Sequence, residues 1–248
     1  MLRKRLITVL TFNNGVLFRT RNFIPDYRYT VNFVDLWSID EMVILDISRP
    51  GEGDRENFYE ILKDISKKCF VPLTVGGGIS TIDEINKLLN MGADKVVINR
   101  EALDRPEFIT EASKLFGSQC IVASIDSQKN AFGDYKVYQH FGKEETVFCP
   151  AEWAKRLRNL GAGEILITSI SRDGTLEGYD NVLNRIVADA VDIPVLVCGG
   201  AGKWQDFVDG FVEGKASAVC TTNIYHFTDS SIKSAKKYLI SSDILVRV

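Results

Sequence analysis

Two glycine-rich turns in this sequence, Gly76-Gly77-Gly78 and Gly199-Gly200, have the composition to hold anions. Glycine lets backbone N–H groups come close to an anion, and a helix start that follows such a turn favours negative charge. A tight strand-to-helix turn is the purely structural alternative for either one. Each turn, however, is followed one apolar run later by polar residues, Asn99 after the first and Thr222-Asn223 after the second. A further polar turn, Asp173-Gly174-Thr175, lies between them in the chain. The pattern predicts a ligand with a phosphate at each end. Gly77, Gly78 and Asn99 would hold one phosphate; Asp173, Gly174, Gly199, Gly200, Thr222 and Asn223 would hold the other. Asp46 and Asp126 stand at the ends of apolar runs, whereas the first run closes on Thr11.

Eight such runs position these residues: RLITVLT (5–11), MVILDI (42–47), PLTVGGG (72–78), DKVVIN (94–99), CIVASID (120–126), EILITSI (164–170), PVLVCGG (194–200) and SAVCTTN (217–223). Nearly continuous apolar runs suit parallel strands buried on both faces. Between them lie helical patterns. STIDEINKLLNMG places Ile82, Ile85, Leu88 and Leu89 on one face, with Ser80 as N-cap and Gly92 as the stop. PAEWAKRLRNLG and KWQDFVDGFVEG repeat that grammar. Eight strand–helix units in 248 residues predict an α/β fold, a (β/α)8 TIM barrel. A doubly wound open sheet is the competing architecture. A constant offset of 123 residues relates VILDIS (43–48) to LITSIS (166–171), VGGGIS (75–80) to CGGAGK (198–203), and Asn99 to Thr222. That offset predicts one barrel domain over 1–248, built from similar half-barrels at about 1–118 and 119–248.

Composition narrows the function classes. The net charge of -3 offers no electrostatic footprint for nucleic acid, and Lys and Arg are dispersed, which gives no anionic-membrane patch. The opening MLRKRLITVLTFNNG lacks the length and cleavage site of a secretory signal, and no stretch reaches a membrane span, so a soluble cytoplasmic protein is expected. Five scattered cysteines predict buried free thiols in a reducing compartment. With only His140 and His226, no His-rich metal site is expected, and nothing calls for a metal or cofactor. Trp37, Trp153, Trp204 and His226 read as packing residues.

RLITVLTFNNGVLFRTRNF, DEMVILDI, PLTVGGGI, GADKVVIN, FGSQCIVASID, GAGEILITSISRDGTLEGYD, GGAGK and the late YHF resemble, in order, the cyclase subunit family of imidazole glycerol phosphate synthase, HisF. The resemblance runs over essentially the whole chain. It implies a barrel of two half-barrels with two phosphate sites and a docked HisH-type glutaminase. Ammonia released from glutamine would cross the barrel to a bisphosphorylated ribulosyl substrate. Cyclisation in the family uses aspartates at the ends of strands one and five; the second is Asp126, and Thr11 stands in place of the first. Four charges at the strand starts, Arg5, Glu41, Lys95 and Glu164, match the family's ammonia gate in sign. Taken alone, they could equally be the polar layer that plugs many barrels. Asp94 matches a residue that pairs with a glutaminase lysine.

Departures from the family gather at the opposite end. The first-strand motif reads Thr11-Phe12-Asn13-Asn14-Gly15, without either carboxylate, and is followed by Arg19 in a shortened loop. Ser171, Cys198, Asn223 and Arg100 also replace the usual residues. A hydroxyl with an alcohol-like pKa cannot shuttle protons as a carboxylate does. The resemblance therefore implies a HisF-like paralogue that carries ammonia to an ATP-dependent sugar amidotransferase, for acetamidino sugars of surface polysaccharides. An authentic cyclase, in which Asp126 acts with Asp46 or water, is the second reading. A phosphosugar isomerase and a binding-only scaffold complete the alternatives.

Overall fold

The apolar runs pair side by side into a closed ring. The computed structural model describes residues 3–28, 39–49, 55–221 and 232–247. In chain order its elements are β1 (Arg5–Asn13), β2 (Val16–Arg21), β3 (Ile24–Arg28), β4 (Glu41–Asp46), α1 (Arg55–Ser66), β5 (Leu73–Gly76), α2 (Ile82–Asn90), β6 (Lys95–Ile98), α3 (Arg100–Asp104), α4 (Glu107–Phe116), β7 (Ile121–Lys129), β8 (Tyr135–Gln139), β9 (Glu144–Glu145), α5 (Pro150–Leu160), β10 (Glu164–Ser169), α6 (Asn181–Ala188), β11 (Val195–Cys198), α7 (Trp204–Val212), β12 (Ala218–Thr221) and α8 (Ile232–Ser241). Parallel pairing runs β1–β4–β5–β6–β7–β10–β11–β12 and returns from β12 to β1. This is the predicted eight-stranded (β/α)8 barrel, not an open sheet.

Closure buries both faces of every barrel strand, which is why the runs are apolar throughout. Along β1, Arg5, Ile7 and Val9 alternate with Leu6, Thr8 and Leu10. Ile7 and Val9 join Val43, Val97, Val122, Leu166, Leu196, Ala218 and Cys220 in a core inside the barrel. Leu6 and Leu10 belong to the larger core between sheet and helices. Helix α1 contributes Phe58, Leu62 and Ile65 to that core, α5 contributes Trp153 and Leu157, and α7 contributes Phe207 and Phe211. Full burial of such a side chain is worth about 1.5–3 kcal/mol. Trp153 stacks on Phe148 at 4.6 Å, and Trp204 packs at 5.8 Å from Phe207. Trp37 and His226 lie outside the described residues.

Two strand ends and one helix cap differ from expectation. Thr11 and Asp126 do not end their strands: β1 runs on to Asn13 and β7 to Lys129. Both continue because each folds back as an antiparallel hairpin, with Thr11 opposite Phe18 and Asp126 opposite Tyr138. The first turn has positive φ at both Asn14 and Gly15, the geometry that matches strand twist in a two-residue hairpin. The N-cap of α2 is Thr81, not Ser80; Thr81 Oγ1 accepts from the Glu84 N–H and completes a reciprocal capping box. All five cysteines are free, Cys220 buried and the others half-buried. Among the described residues, no helix is long and apolar enough to cross a membrane.

Candidate functional site

The C-terminal ends of the strands surround a cavity of about 910 Å³. Thr11, Asp46, Gly77, Gly78, Asn99, Asp126, Asp173, Gly174, Gly199 and Gly200 all line it. Sequence-distant residues thus share one mouth because parallel strands all end on the same side. Thr222 and Asn223 lie outside the described residues.

Both glycine turns require residues without Cβ. Gly77 and Gly78 have φ of +113° and +60°, and Gly199 and Gly200 have +94° and +109°. A Cβ on Gly77 would collide with the Asp46 carbonyl, and one on Gly200 with the Gly178 carbonyl. The helix starts beyond the turns are already occupied. Glu84 Oε2 accepts from the Ser80 and Thr81 N–H groups at 2.8 and 3.1 Å. Asp206 Oδ2 accepts from Gly202 and Lys203 at 2.8 and 2.9 Å. An incoming anion therefore meets the turns, not the helix ends. Among the described residues, no acceptor meets the N–H groups of Gly78 and Ile79, or of Gly200 and Ala201.

Asp126 is the proton-transfer candidate at the cavity floor. Burial pushes its carboxyl up to about 7, opposed by the Asn99 hydrogen bond and assisted by the nearby Asp173 charge. Asn99 Nδ2 donates to Asp126 Oδ2 at 2.7 Å, so its amide faces the carboxylate. Such a group can both give and take a proton near neutrality. Thr11 lines the mouth, but its Oγ1 donates to the Phe18 carbonyl within the hairpin. Asp46 Oδ1 accepts from the Ser48 N–H at 3.0 Å. Asp173 is raised by burial, against hydrogen bonds from the Phe23 N–H and the Thr20 side chain. Its Oδ2 lies 3.0 Å from Phe23 N and its carbonyl accepts from Asn22 at 3.1 Å, which ties the β2–β3 turn across the mouth. The Cys198 thiol is pushed up to about 12, chiefly by burial and then by Asp173, so it remains an un-ionised thiol rather than a nucleophile.

At the opposite end, the four predicted charges form a closed ring. Arg5 Nη1 lies 2.8 Å from both Glu41 Oε1 and Glu164 Oε1. Lys95 Nζ lies 3.3 Å from Glu41 Oε2 and 2.9 Å from Glu164 Oε2. Burial alone would lower the Arg5 pKa, but Glu164 and Glu41 outweigh it and raise it. Asp94, beside Lys95, is exposed, and its Oδ2 accepts from the Leu73 N–H at 2.7 Å.

The sequence reading missed Arg55. It starts α1, yet its guanidinium reaches 22–23 residues forward to the Gly77 and Gly78 carbonyls. No local pattern announces a contact made by tertiary packing.

A closed ring of eight parallel strands with interleaved helices, open to a cavity at its C-terminal mouth, defines a (β/α)8-barrel protein. The chain matches the family model "Histidine biosynthesis protein" over residues 8–230, and it belongs to that HisA/HisF-like family.

Proposed function

We propose that this barrel conducts ammonia from a HisH-type glutaminase to an ATP-dependent sugar amidotransferase, as a HisF-like subunit whose cyclase activity is lost. The observation that carries this reading is the contrast between the two ends of one lumen. At the bottom the ring of Arg5, Glu41, Lys95 and Glu164 is complete, with each carboxylate shared by both cations. At the top, Thr11 supplies only a hydroxyl, and that hydroxyl is engaged by Phe18. Small neutral ammonia crosses an apolar lumen more readily than an ion does, because only a charged species suffers the full desolvation penalty. Exposed Leu115, Val212 and Leu245 near the strand starts give the bottom face apolar surface for a docked subunit. Asp94 is exposed on the same face.

A cyclase in histidine biosynthesis is the second reading, favoured by Asp126, whose pKa near 7 suits general acid–base work. The two readings separate in an assay of the purified chain with the bisphosphorylated ribulosyl substrate and saturating free ammonia. Loss of one general acid/base group predicts turnover at least roughly 100-fold below that of a cyclase bearing both carboxylates. Thr11→Asp alone leaves turnover low, since it also removes the hairpin hydrogen bond. Undiminished turnover in the unsubstituted protein would overturn the conduit reading.

A further inference from the structure

Two of the five cysteines stand side by side inside the barrel. Leu196 and Val197 of β11 pair with Ala218 and Val219 of β12, and the same register, one step on, sets Cys198 beside Cys220. Leu196, Ala218 and Cys220 belong to the core inside the barrel, and Cys198 packs against it. Side chains two apart on a strand share a face, so both thiols point inward from neighbouring strands. Both also line the cavity. On the other side of Cys198, its register partner is Thr168 of β10, whose side chain hydrogen-bonds to the thiol. Cys69, Cys120 and Cys149 belong to neither the cavity wall nor that inner core.

Both thiols stay protonated near neutrality. Burial, and then the Asp173 charge, pushes Cys198 up to about 12. Burial, and then Cys198 itself, pushes Cys220 well above the ordinary value. A protonated thiol reacts slowly with oxidants, because the thiolate is the nucleophile. Spacing points the same way. Neighbouring strands lie about 4.7–4.9 Å apart, and in-register side chains on one face keep roughly that separation at Cβ. A disulfide holds its Cβ atoms closer, at about 3.5–4.5 Å. One metal atom in line between two sulfurs, with bonds of about 2.3 Å, sets those sulfurs about 4.6 Å apart. The gap therefore suits an inserted atom better than a direct S–S bond. Zinc takes four donors, and among the described residues no group of three or more His, Cys, Asp or Glu is placed to hold a metal. A soft cation satisfied by two thiolates, Cu(I), fits the donors present.

We propose that Cys198 and Cys220 form a two-sulfur site for a single Cu(I) ion where the barrel lumen meets the mouth. On binding, two S–H bonds break and two Cu–S bonds form. Both protons leave to solvent, and copper keeps its oxidation state, so no electron donor or acceptor is required. Thr168 supports the site by hydrogen-bonding to the Cys198 sulfur in a way that favours its thiolate. The inference depends neither on ammonia transfer nor on the ligand that the mouth takes.

The test is an anaerobic titration of the reduced full chain with Cu(I), in competition with a chromogenic Cu(I) chelator. One ion per chain should be withheld from the chelator. Cys198→Ser and Cys220→Ser should each weaken that binding by about a hundredfold or more, since a direct ligand is worth at least as much as the outer partners whose loss costs about 10–100-fold. The triple variant Cys69→Ser, Cys120→Ser, Cys149→Ser keeps only Cys198 and Cys220 and should bind within about threefold of the parent. X-ray absorption of the copper-loaded triple variant should show two sulfur neighbours. That spectrum decides the matter even if neither single variant folds. No copper withheld by the parent, binding that survives Cys198→Ser and Cys220→Ser, binding lost in the triple variant, or a spectrum with fewer than two sulfurs would each overturn the proposal. So would a Cys198–Cys220 disulfide formed by diamide in the folded triple variant, because it would show that the sulfurs meet directly.

Discussion

Asp126 combines burial, an amide donor and a neighbouring carboxylate, and this sets a pH dependence that can be measured. Its folded pKa, about 7, lies above the ordinary 3.8. The folded state therefore holds a proton that the unfolded state releases, so its contribution is fully present below about pH 4 and fades as pH rises to about 7. Asp126→Asn removes that dependence and still accepts from Asn99. The variant should match the parent in stability below about pH 4 and exceed it increasingly up to about pH 7, with a constant margin beyond. The ceiling on that margin is roughly 4 kcal/mol, and water in the open mouth lowers it. Urea unfolding across that pH range measures it; a margin that does not change with pH would show that Asp126 ionises normally. The sequence marked Asp126 as a site residue because it falls at the end of an apolar run and matches the family's strand-five aspartate. It was silent on Arg55, whose partners Gly77, Gly78 and Glu84 come together only when α1 packs beside the β5–α2 turn.

At the scale of elements, the barrel was legible and its two hairpins were not. Eight β-branched runs separated by helical periodicity follow directly from strands buried on both faces. Past Phe12 and Ser127, where the last parallel pairs to β4 and β10 are made, the chain continues only as antiparallel hairpin, and polar residues such as Asn13, Gln128 and Lys129 end the apolar signal although the strand goes on. The β2–β3 hairpin is then held across the mouth by Asp173, through the Phe23 N–H, the Asn22 N–H and the Thr20 side chain. Hydrogen bonds to a charged group are worth about 1.5–3 kcal/mol. Asp173→Ala should accordingly speed hydrogen exchange of the Phe23 amide by about tenfold or more, while strand amides of β4 and β5 keep their protection. Asp173→Asn, which retains an acceptor, should restore part of it. Unchanged exchange at Phe23 in Asp173→Ala would mean that the hairpin is held by its own ladder and not by Asp173. The shift of the α2 N-cap from Ser80 to Thr81 has a simpler origin: adjacent hydroxyl residues both satisfy the capping pattern, and only the Glu84 N–H decides between them.

Across the whole molecule, the two ends of the barrel differ in chemistry. Arg5 and Lys95 pair with Glu41 and Glu164 at the bottom, and a cavity opens at the top. Buried pairs are strongly destabilising to break one-sidedly, by about 3–5 kcal/mol. Lys95→Ala should cost less, roughly 1–3 kcal/mol, because Arg5 still holds both carboxylates and the Lys95 side chain is 16% exposed. The fold should therefore survive the substitution, which makes it a probe of passage. The proposed passage of ammonia through this ring is tested most directly by the ratio of glutamate formed to acceptor aminated, in the proposed complex of barrel, glutaminase and sugar amidotransferase. With the unsubstituted barrel the ratio should lie near one; with Lys95→Ala it should rise by about twofold or more, as nitrogen escapes before reaching the acceptor. An unchanged ratio, in a Lys95→Ala protein that folds and still binds the glutaminase, would contradict the account and leave the ring as a barrel plug.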